Sequence, residues 1–131
     1  MYKLDLQASG EKVWEEVGSM NVGRGNKFGV KLHDGKFFVF GGHLIDGGAL
    51  TDTIEEYDIA TDTWNLLPET MGLETESLSV KVEMNMAWIY VWVTKELREF
   101  DLAAKMFTGN ALPQIPLRKC VPKQQVVRCL L

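Results

Sequence analysis

The chain has 131 residues and a formal net charge of −4, with 46% hydrophobic and 24% charged residues. This length suits one domain or part of a larger one. The negative charge argues against nucleic acid as a partner, because phosphate binding normally requires a basic face. No apolar run approaches the roughly 20 residues of a membrane-spanning helix, so no membrane partner is expected.

The first residues and the two cysteines indicate the cellular compartment that we expect for the protein. Residues 1–5 alternate polar and apolar side chains and lack the apolar segment of a secretion signal. The two cysteines, Cys120 and Cys129, do not make a disulfide framework. We therefore expect reduced, buried thiols and a cytoplasmic location, with the nucleus as an alternative.

In chain order, the sequence predicts short strands joined by tight turns, and no helix. A first hairpin is expected from residues 1–6 and 13–17. Two sets of four strands follow, at residues 26–32, 36–40, 53–59 and 63–67, and at residues 77–83, 87–93, 97–102 and 106–108. Residues 124–131 are predicted to form one further strand.

Turn residues support these boundaries. Asp34-Gly35 is a strong signal for a two-residue hairpin. Gly41-Gly42 ends the apolar strand 36–40 and permits backbone angles that side chains disfavour. Pro68 is expected to close the first set of four strands.

Two aromatic pairs at one spacing indicate an internal repeat. In each pair six residues intervene, and an aspartate follows the first aromatic. A recurrence over roughly forty to fifty residues is typical of repeat architectures. The pairs are Tyr57 with Trp64 and Phe100 with Phe107, and the aspartates are Asp58 and Asp101.

These residues resemble the kelch repeat, a four-stranded blade of a β-propeller. The family pattern is a double glycine after the second strand, then Tyr-Asp, then a Trp. Gly41-Gly42, Tyr57-Asp58 and Trp64 match it at every position. The next repeat keeps the spacing but has phenylalanines and no double glycine. Near the start, Trp14 resembles the last-strand aromatic of a preceding blade.

The resemblance implies an all-β fold of kelch-type propeller blades that form an incomplete ring in a single chain. The expected units are residues 1–19 (the last two strands of a blade), 20–71 (a full blade), 72–116 (a degenerate blade) and 117–131 (the first strand of another). An open arc leaves strand edges and blade faces uncovered. Truncation of a longer polypeptide, self-association, or a larger assembly that completes the propeller would each explain this.

Chemical motifs are mostly missing from the sequence. His33 and His43 have no partners with metal-ligand spacing, and no phosphate-binding loop or nucleophile–base pair is present. We therefore expect no enzymatic activity, no metal and no cofactor. Trp88, Tyr90 and Trp92 alternate as a stacking ladder would, but their place in an apolar strand favours core packing.

The resemblance also implies a binding site. Kelch adaptors contact ligands at one mouth of the channel, through residues after the double glycine and residues that lead into the first strand. Basic residues from one blade would then lie beside acidic residues from the next, which suits a short peptide of mixed charge. The candidate residues are Arg24, Asn26, Lys27, His43, Asp46, Asp52, Glu74 and Glu76. The residues expected to be structural are Trp14, Gly41, Gly42, Tyr57, Asp58, Trp64, Phe100, Asp101 and Phe107.

Three functions are compatible with this sequence. The first is a non-enzymatic module that binds a protein or peptide, as a ubiquitin-ligase substrate adaptor or a cytoskeletal scaffold would. The second is a fragment of a propeller enzyme that resembles galactose oxidase or sialic-acid epimerase. The third is a structural subunit of a larger assembly.

Overall fold

The computed structural model describes residues 1–110 and 112, and every regular element there is a β-strand. The expected all-β fold is therefore confirmed. None of the described residues forms a helix long and apolar enough to cross a bilayer. The strands are β1 (Tyr2–Leu4), β2 (Trp14–Glu16), β3 (Arg24–Asn26), β4 (Gly29–His33), β5 (Lys36–Phe40), β6 (His43–Leu44), β7 (Thr53–Asp58), β8 (Thr63–Thr70), β9 (Leu78–Glu83), β10 (Met86–Val91), β11 (Glu96–Asp101) and β12 (Met106–Phe107).

Two antiparallel four-stranded sheets dominate the structure. The sheet β4-β5-β7-β8 is the central blade, and the sheet β9-β10-β11-β12 is the C-terminal blade. Within the described part of the chain, strands β1 and β2 pair only with each other and form the half-blade. The predicted strand at residues 124–131 and both cysteines lie outside the described residues.

The sequence did not predict the fourth sheet, which joins β3 to β6. Residues 26–32 were expected to form one strand, but the backbone turns at Lys27, which has a φ of 55°. That left-handed residue separates β3 from β4. The small sheet brings the segment that leads into the central blade against the segment that follows the double glycine.

Strand β8 also departs from the prediction, because it continues through Pro68 to Thr70. Its register against β7 shifts between Thr53 and Glu55. Pro68 lies in the irregular stretch between the paired residues Leu66 and Thr70, and β8 is the edge strand of the central blade, so a proline is tolerated there.

The hydrophobic core lies between the two complete blades. Phe38 and Phe40 of the central blade pack against the C-terminal blade, and the rings of Phe40 and Phe100 meet edge to face at 5.4 Å. The innermost strands approach so closely that a Cβ added at Gly29 would lie 2.6 Å from Val80 Cγ2. The two blades are therefore stacked face to face, as in a propeller.

The repeated aromatic pairs are cross-strand neighbours. Tyr57 lies opposite Trp64 with ring centroids 4.9 Å apart, and Phe100 lies opposite Phe107 at 5.1 Å. Because Phe100 contacts the central blade, this face of the C-terminal blade points toward the preceding blade.

The aspartates after the first aromatics shape the turns that follow them. Asp58 Oδ1 accepts hydrogen bonds from the backbone N–H groups of residues 60 and 61 at 3.0 and 3.3 Å. Asp101 Oδ1 accepts the corresponding pair from residues 103 and 104, both at 2.9 Å. Each carboxylate thus satisfies the turn that joins the last two strands of its blade.

Trp14 requires a correction, because it was expected to be a packed motif aromatic. It pairs with Leu4 across the half-blade, yet 64% of its surface is exposed. Among the described residues, the half-blade has no inner strands, so the aromatic lacks the neighbours that cover Trp64 and Phe107.

We expect Phe100→Ala to lower the free energy of unfolding by about 3–5 kcal/mol, because the substitution leaves a cavity in the interblade core. Met106→Ala is the control, since this nearby side chain is 51% exposed, and it should cost less than about 0.5 kcal/mol. Urea denaturation measures both values. Equal losses would contradict the packing described here.

Candidate functional site

The loops that contain the predicted binding residues meet at one end of the two blades. We call residues 19–28, 41–52 and 71–77 the mouth, because Gly29 pairs with Phe40 and Leu78 with Val91 at that end. The N–H of Gly42 donates to the carbonyl of Thr75 at 2.9 Å. A second backbone hydrogen bond runs from the N–H of Ser77 to the carbonyl of Lys27 at 3.2 Å, and the two bonds connect the mouth loops of the two blades.

Three predicted residues, Lys27, His43 and Glu76, form one network in the mouth. Lys27 Nζ lies 2.8 Å from Glu76 Oε2, and His43 Nε2 contacts the same oxygen. The other ring nitrogen of His43, Nδ1, lies 2.9 Å from the carbonyl oxygen of Gly48. Both ring nitrogens of His43 therefore lie within hydrogen-bond distance of oxygen atoms of the mouth.

Glu76 is the centre of this network. The hydrogen bond from Lys27, followed by that from His43, lowers the pKa of Glu76 from its ordinary value. The carboxylate is therefore ionised at neutral pH and draws two side chains of the central blade toward the C-terminal blade. The network adds side-chain contacts to the backbone hydrogen bonds that already join these loops.

Arg24 requires a correction, because it was predicted to contact a partner. Its side chain is fully buried, and its guanidinium forms hydrogen bonds to groups inside the protein. Nη1 lies 2.6 Å from Glu55 Oε1, Nε donates to the carbonyl of Gly41 at 2.9 Å, and Nη2 donates to Thr53 Oγ1 at 2.6 Å. Arg24 is therefore a structural residue of the mouth.

Glu55, which sequence reasoning did not single out, is the partner that holds Arg24. Besides Arg24, its carboxylate accepts hydrogen bonds from the N–H groups of Asn21 and Val22 at 2.8 and 2.9 Å. Burial raises the pKa of Glu55, but the hydrogen bonds from Arg24, Val22 and Asn21 outweigh burial and lower it overall. In the sequence, Glu55 is a charged residue within a predicted strand, and nothing at that position indicated a buried ion pair.

The double glycine allows the two segments of the mouth to cross. Gly42 has a φ of 102°, and a Cβ there would lie 2.9 Å from the Cα of Phe28. Gly41 has a φ of 52°, and its carbonyl accepts the hydrogen bond from Arg24 Nε. The double glycine therefore serves both backbone conformation and close approach.

The C-terminal blade has a different arrangement at the place of Glu55. Arg98 precedes Phe100 by two residues, as Glu55 precedes Tyr57. Its Nη1 donates to the backbone carbonyl of Met71, and its Nη2 lies 3.3 Å from Glu96 Oε2. A cation bonded to a carbonyl thus replaces a carboxylate bonded to backbone N–H groups.

The remaining predicted residues lie on the surface of the mouth. Asn26, Asp46 and Glu74 are exposed, and Asp52 is half-buried. The three carboxylates form no ion pair with any residue in the described part of the chain. Residues 1–110 and 112 contain no group of three or more metal-ligating side chains.

The chain resembles known proteins in a family motif, in sequence and in fold. The Kelch motif family model matches residues 27–71. Over 72 residues the chain is 43% identical to Kelch-like protein 40 of Xenopus laevis, a match that covers 55% of this chain and 11% of that protein. The solved structure of YjhT resembles the fold with a TM-score of 0.71 at 18% identity, over 88% of this chain and 45% of that chain. The chain thus spans less than half the length of each of these relatives.

We expect Arg24→Met to lower the free energy of unfolding by about 3–5 kcal/mol, because it leaves the carboxylate of Glu55 buried without its cation. Lys27→Met is the matched control, since it removes a cation whose side chain is 51% exposed, and it should cost less than about 1 kcal/mol. Chemical denaturation at neutral pH compares them. A smaller loss for Arg24→Met than for Lys27→Met would contradict the structural role.

Acid should weaken the protein partly through Glu55. Because its folded pKa lies below the ordinary value of 4.5, its contribution is complete above about pH 4.5 and disappears as the pH falls through the folded pKa. Glu55→Gln should therefore be less stable than the natural chain at pH 7, and this difference should shrink as the pH drops from 5 toward 3. A difference that stays constant over this range would refute the assignment. Thermal unfolding at a series of pH values measures it.

Proposed function

Since the chain consists of kelch-repeat blades of a β-propeller, we propose that it is a non-enzymatic module that binds a protein or peptide partner through its mouth. The kelch resemblance inferred from the sequence is confirmed by the family match and by the fold. The binding function is supported by the geometry of the mouth.

The observation that best supports a binding function is that the exposed side chains of the mouth lie on loops held in place by internal ion pairs. Lys27, His43 and Glu76 join the two blades, and Arg24 with Glu55 anchors the loop beneath them. Because these groups bond to one another, the loops above them lose little freedom when a partner binds. Such preorganisation favours recognition of an extended segment.

The charge of the mouth indicates which class of partner it suits. The sequence suggested a surface of mixed charge, but Arg24 is buried and Lys27 and His43 are occupied by Glu76. The carboxylates left to face a partner are Asp46, Asp52 and Glu74. The partner that we propose is therefore a peptide segment with lysine or arginine side chains.

The narrower roles remain predictions of this proposal. A ubiquitin-ligase substrate adaptor and a cytoskeletal scaffold would both use such a mouth, as would a subunit of a larger assembly. The alternative of a propeller-enzyme fragment also remains a prediction, because the likeness to YjhT at 18% identity shows the fold alone. The cytoplasmic or nuclear location, and the absence of nucleic-acid and membrane partners, also remain predictions.

Peptide selection tests the proposal. We expect the whole chain to enrich lysine- and arginine-containing sequences from a displayed random peptide library. Binding of a selected peptide should weaken at least about tenfold in the double variant Asp46→Lys/Glu74→Lys, which corresponds to about 1.4 kcal/mol. Fluorescence anisotropy at fixed ionic strength measures this change.

The matched control is the double variant Glu11→Lys/Glu16→Lys, which makes the same charge change at two exposed residues of the half-blade. It should leave binding within about twofold, well below the tenfold step that 1.4 kcal/mol represents. Selected peptides without basic residues, or equal losses in both variants, would show that the mouth is not the binding surface.

A further inference from the structure

The chain contains two Asp-Gly pairs, Asp34-Gly35 and Asp46-Gly47. Such a pair is chemically reactive, because the backbone nitrogen of the glycine reaches the side-chain carbon Cγ of the aspartate without hindrance from a Cβ. Each of the other five aspartates precedes a leucine, an isoleucine or a threonine, whose side chain hinders this approach. The two pairs therefore differ from the other aspartates, and the structure places them in different surroundings.

The first pair is held in the hairpin turn between β4 and β5. Asp34 and Gly35 have φ angles of 47° and 72°, and His33 pairs with Lys36 directly before and after them. The carbonyl of Gly35 also accepts a hydrogen bond from the N–H of Ile59 at 3.2 Å. Closure of a ring between the glycine nitrogen and Cγ requires Asp34 to leave its left-handed conformation, so this turn must open first.

The second pair lies at the tip of the mouth loop that follows β6. The N–H of Leu44 donates to the carbonyl of Ala49 at 2.8 Å and closes this loop at its base. Asp46 is exposed, and a Cβ built at Gly47 would meet no atom within 4 Å. In the part of the chain that the structure describes, neither residue of the pair forms a hydrogen bond or an ion pair. Ring closure at this tip therefore breaks no hydrogen bond of the pair.

We propose that Asp46 is a site of spontaneous isomerisation to isoaspartate. The nitrogen of Gly47 attacks Cγ of the protonated side chain, a C–N bond forms, and one Cγ–O bond breaks. The released oxygen leaves as water and takes the proton of the former N–H. Water then opens the five-membered succinimide at either carbonyl: attack at Cγ restores aspartate, and attack at the backbone carbonyl carbon gives isoaspartate. Nothing is oxidised or reduced, and the reaction needs no cofactor.

Isomerisation changes the shape of the mouth without changing its net charge. The main chain then runs through the former side chain and is longer by one methylene group, while the carboxylate is attached directly to Cα. Asp46 is one of the three carboxylates that we propose to face a basic peptide, so the effect on binding rests on the proposed function. The modified chain should bind such a peptide less tightly, whereas the chemistry itself requires no partner.

Ageing of the folded, full chain at neutral pH tests the proposal. Cleavage after lysine and arginine places the two Asp-Gly pairs in separate peptides, residues 32–36 and 37–81. Chromatography with mass spectrometry, together with enzymatic methylation of isoaspartate, measures the modification in each peptide. We expect isoaspartate to form at least about tenfold faster at Asp46 than at Asp34, which corresponds to a barrier lower by about 1.4 kcal/mol.

Two matched variants locate the reaction. Asp46→Glu keeps the carboxylate but would have to close a six-membered ring, which is slower, so the isoaspartate signal of peptide 37–81 should disappear. Asp34→Glu makes the same change in the hairpin turn and should leave that signal as it is in the natural chain. In concentrated urea the β4–β5 turn is lost, so the two pairs of the natural chain should react at similar rates.

Three results would overturn the proposal. Equal rates at the two pairs in the folded chain would show that the hairpin gives no protection, and absence of isoaspartate at Asp46 would show that the loop tip is held in place. A rate ratio that stays the same in urea would assign the difference to neighbouring side chains instead of the fold. If isoaspartate forms but the separated modified chain binds a selected basic peptide as tightly as the natural chain, the role of Asp46 in the mouth is wrong while the modification site stands.

Discussion

The buried ion pair between Arg24 and Glu55 is the interaction on which the mouth depends. A carboxylate this deep in the protein is tolerated only when its oxygens are bonded, and Arg24 with two backbone N–H groups provides those bonds. The same guanidinium holds the carbonyl of Gly41, so one side chain connects three segments that are distant in sequence. The positions of the neighbouring loops follow from this arrangement.

The Lys27, His43 and Glu76 network is built on that base. Glu76 belongs to the blade that follows, and its two partners belong to the central blade. Because the carboxylate is partly exposed, solvent and salt screen its attraction to the two partners. The buried pair therefore supplies rigidity, while the network at the surface sets the arrangement of loops that a partner meets.

Sequence reasoning found the blades because their signals are local. Alternating strands, the Asp34-Gly35 turn and the aromatic spacing all lie within short windows. It failed where the answer was a long-range contact: Arg24 in a polar loop resembles a solvated side chain until Glu55, thirty-one residues away, is placed beside it. The β3–β6 sheet was missed because strands of two or three residues are too short to show a periodicity.

The exchange of Glu55 for Arg98 between the two blades has a consequence for assembly order. In the central blade an anion receives backbone N–H groups from the segment before it, whereas in the C-terminal blade a cation is bonded to a backbone carbonyl at the equivalent place. A lead-in segment docked on the wrong blade would therefore direct donors at a donor or acceptors at an acceptor. The two junctions thus have opposite hydrogen-bonding polarity, and each lead-in segment is complementary to its own blade.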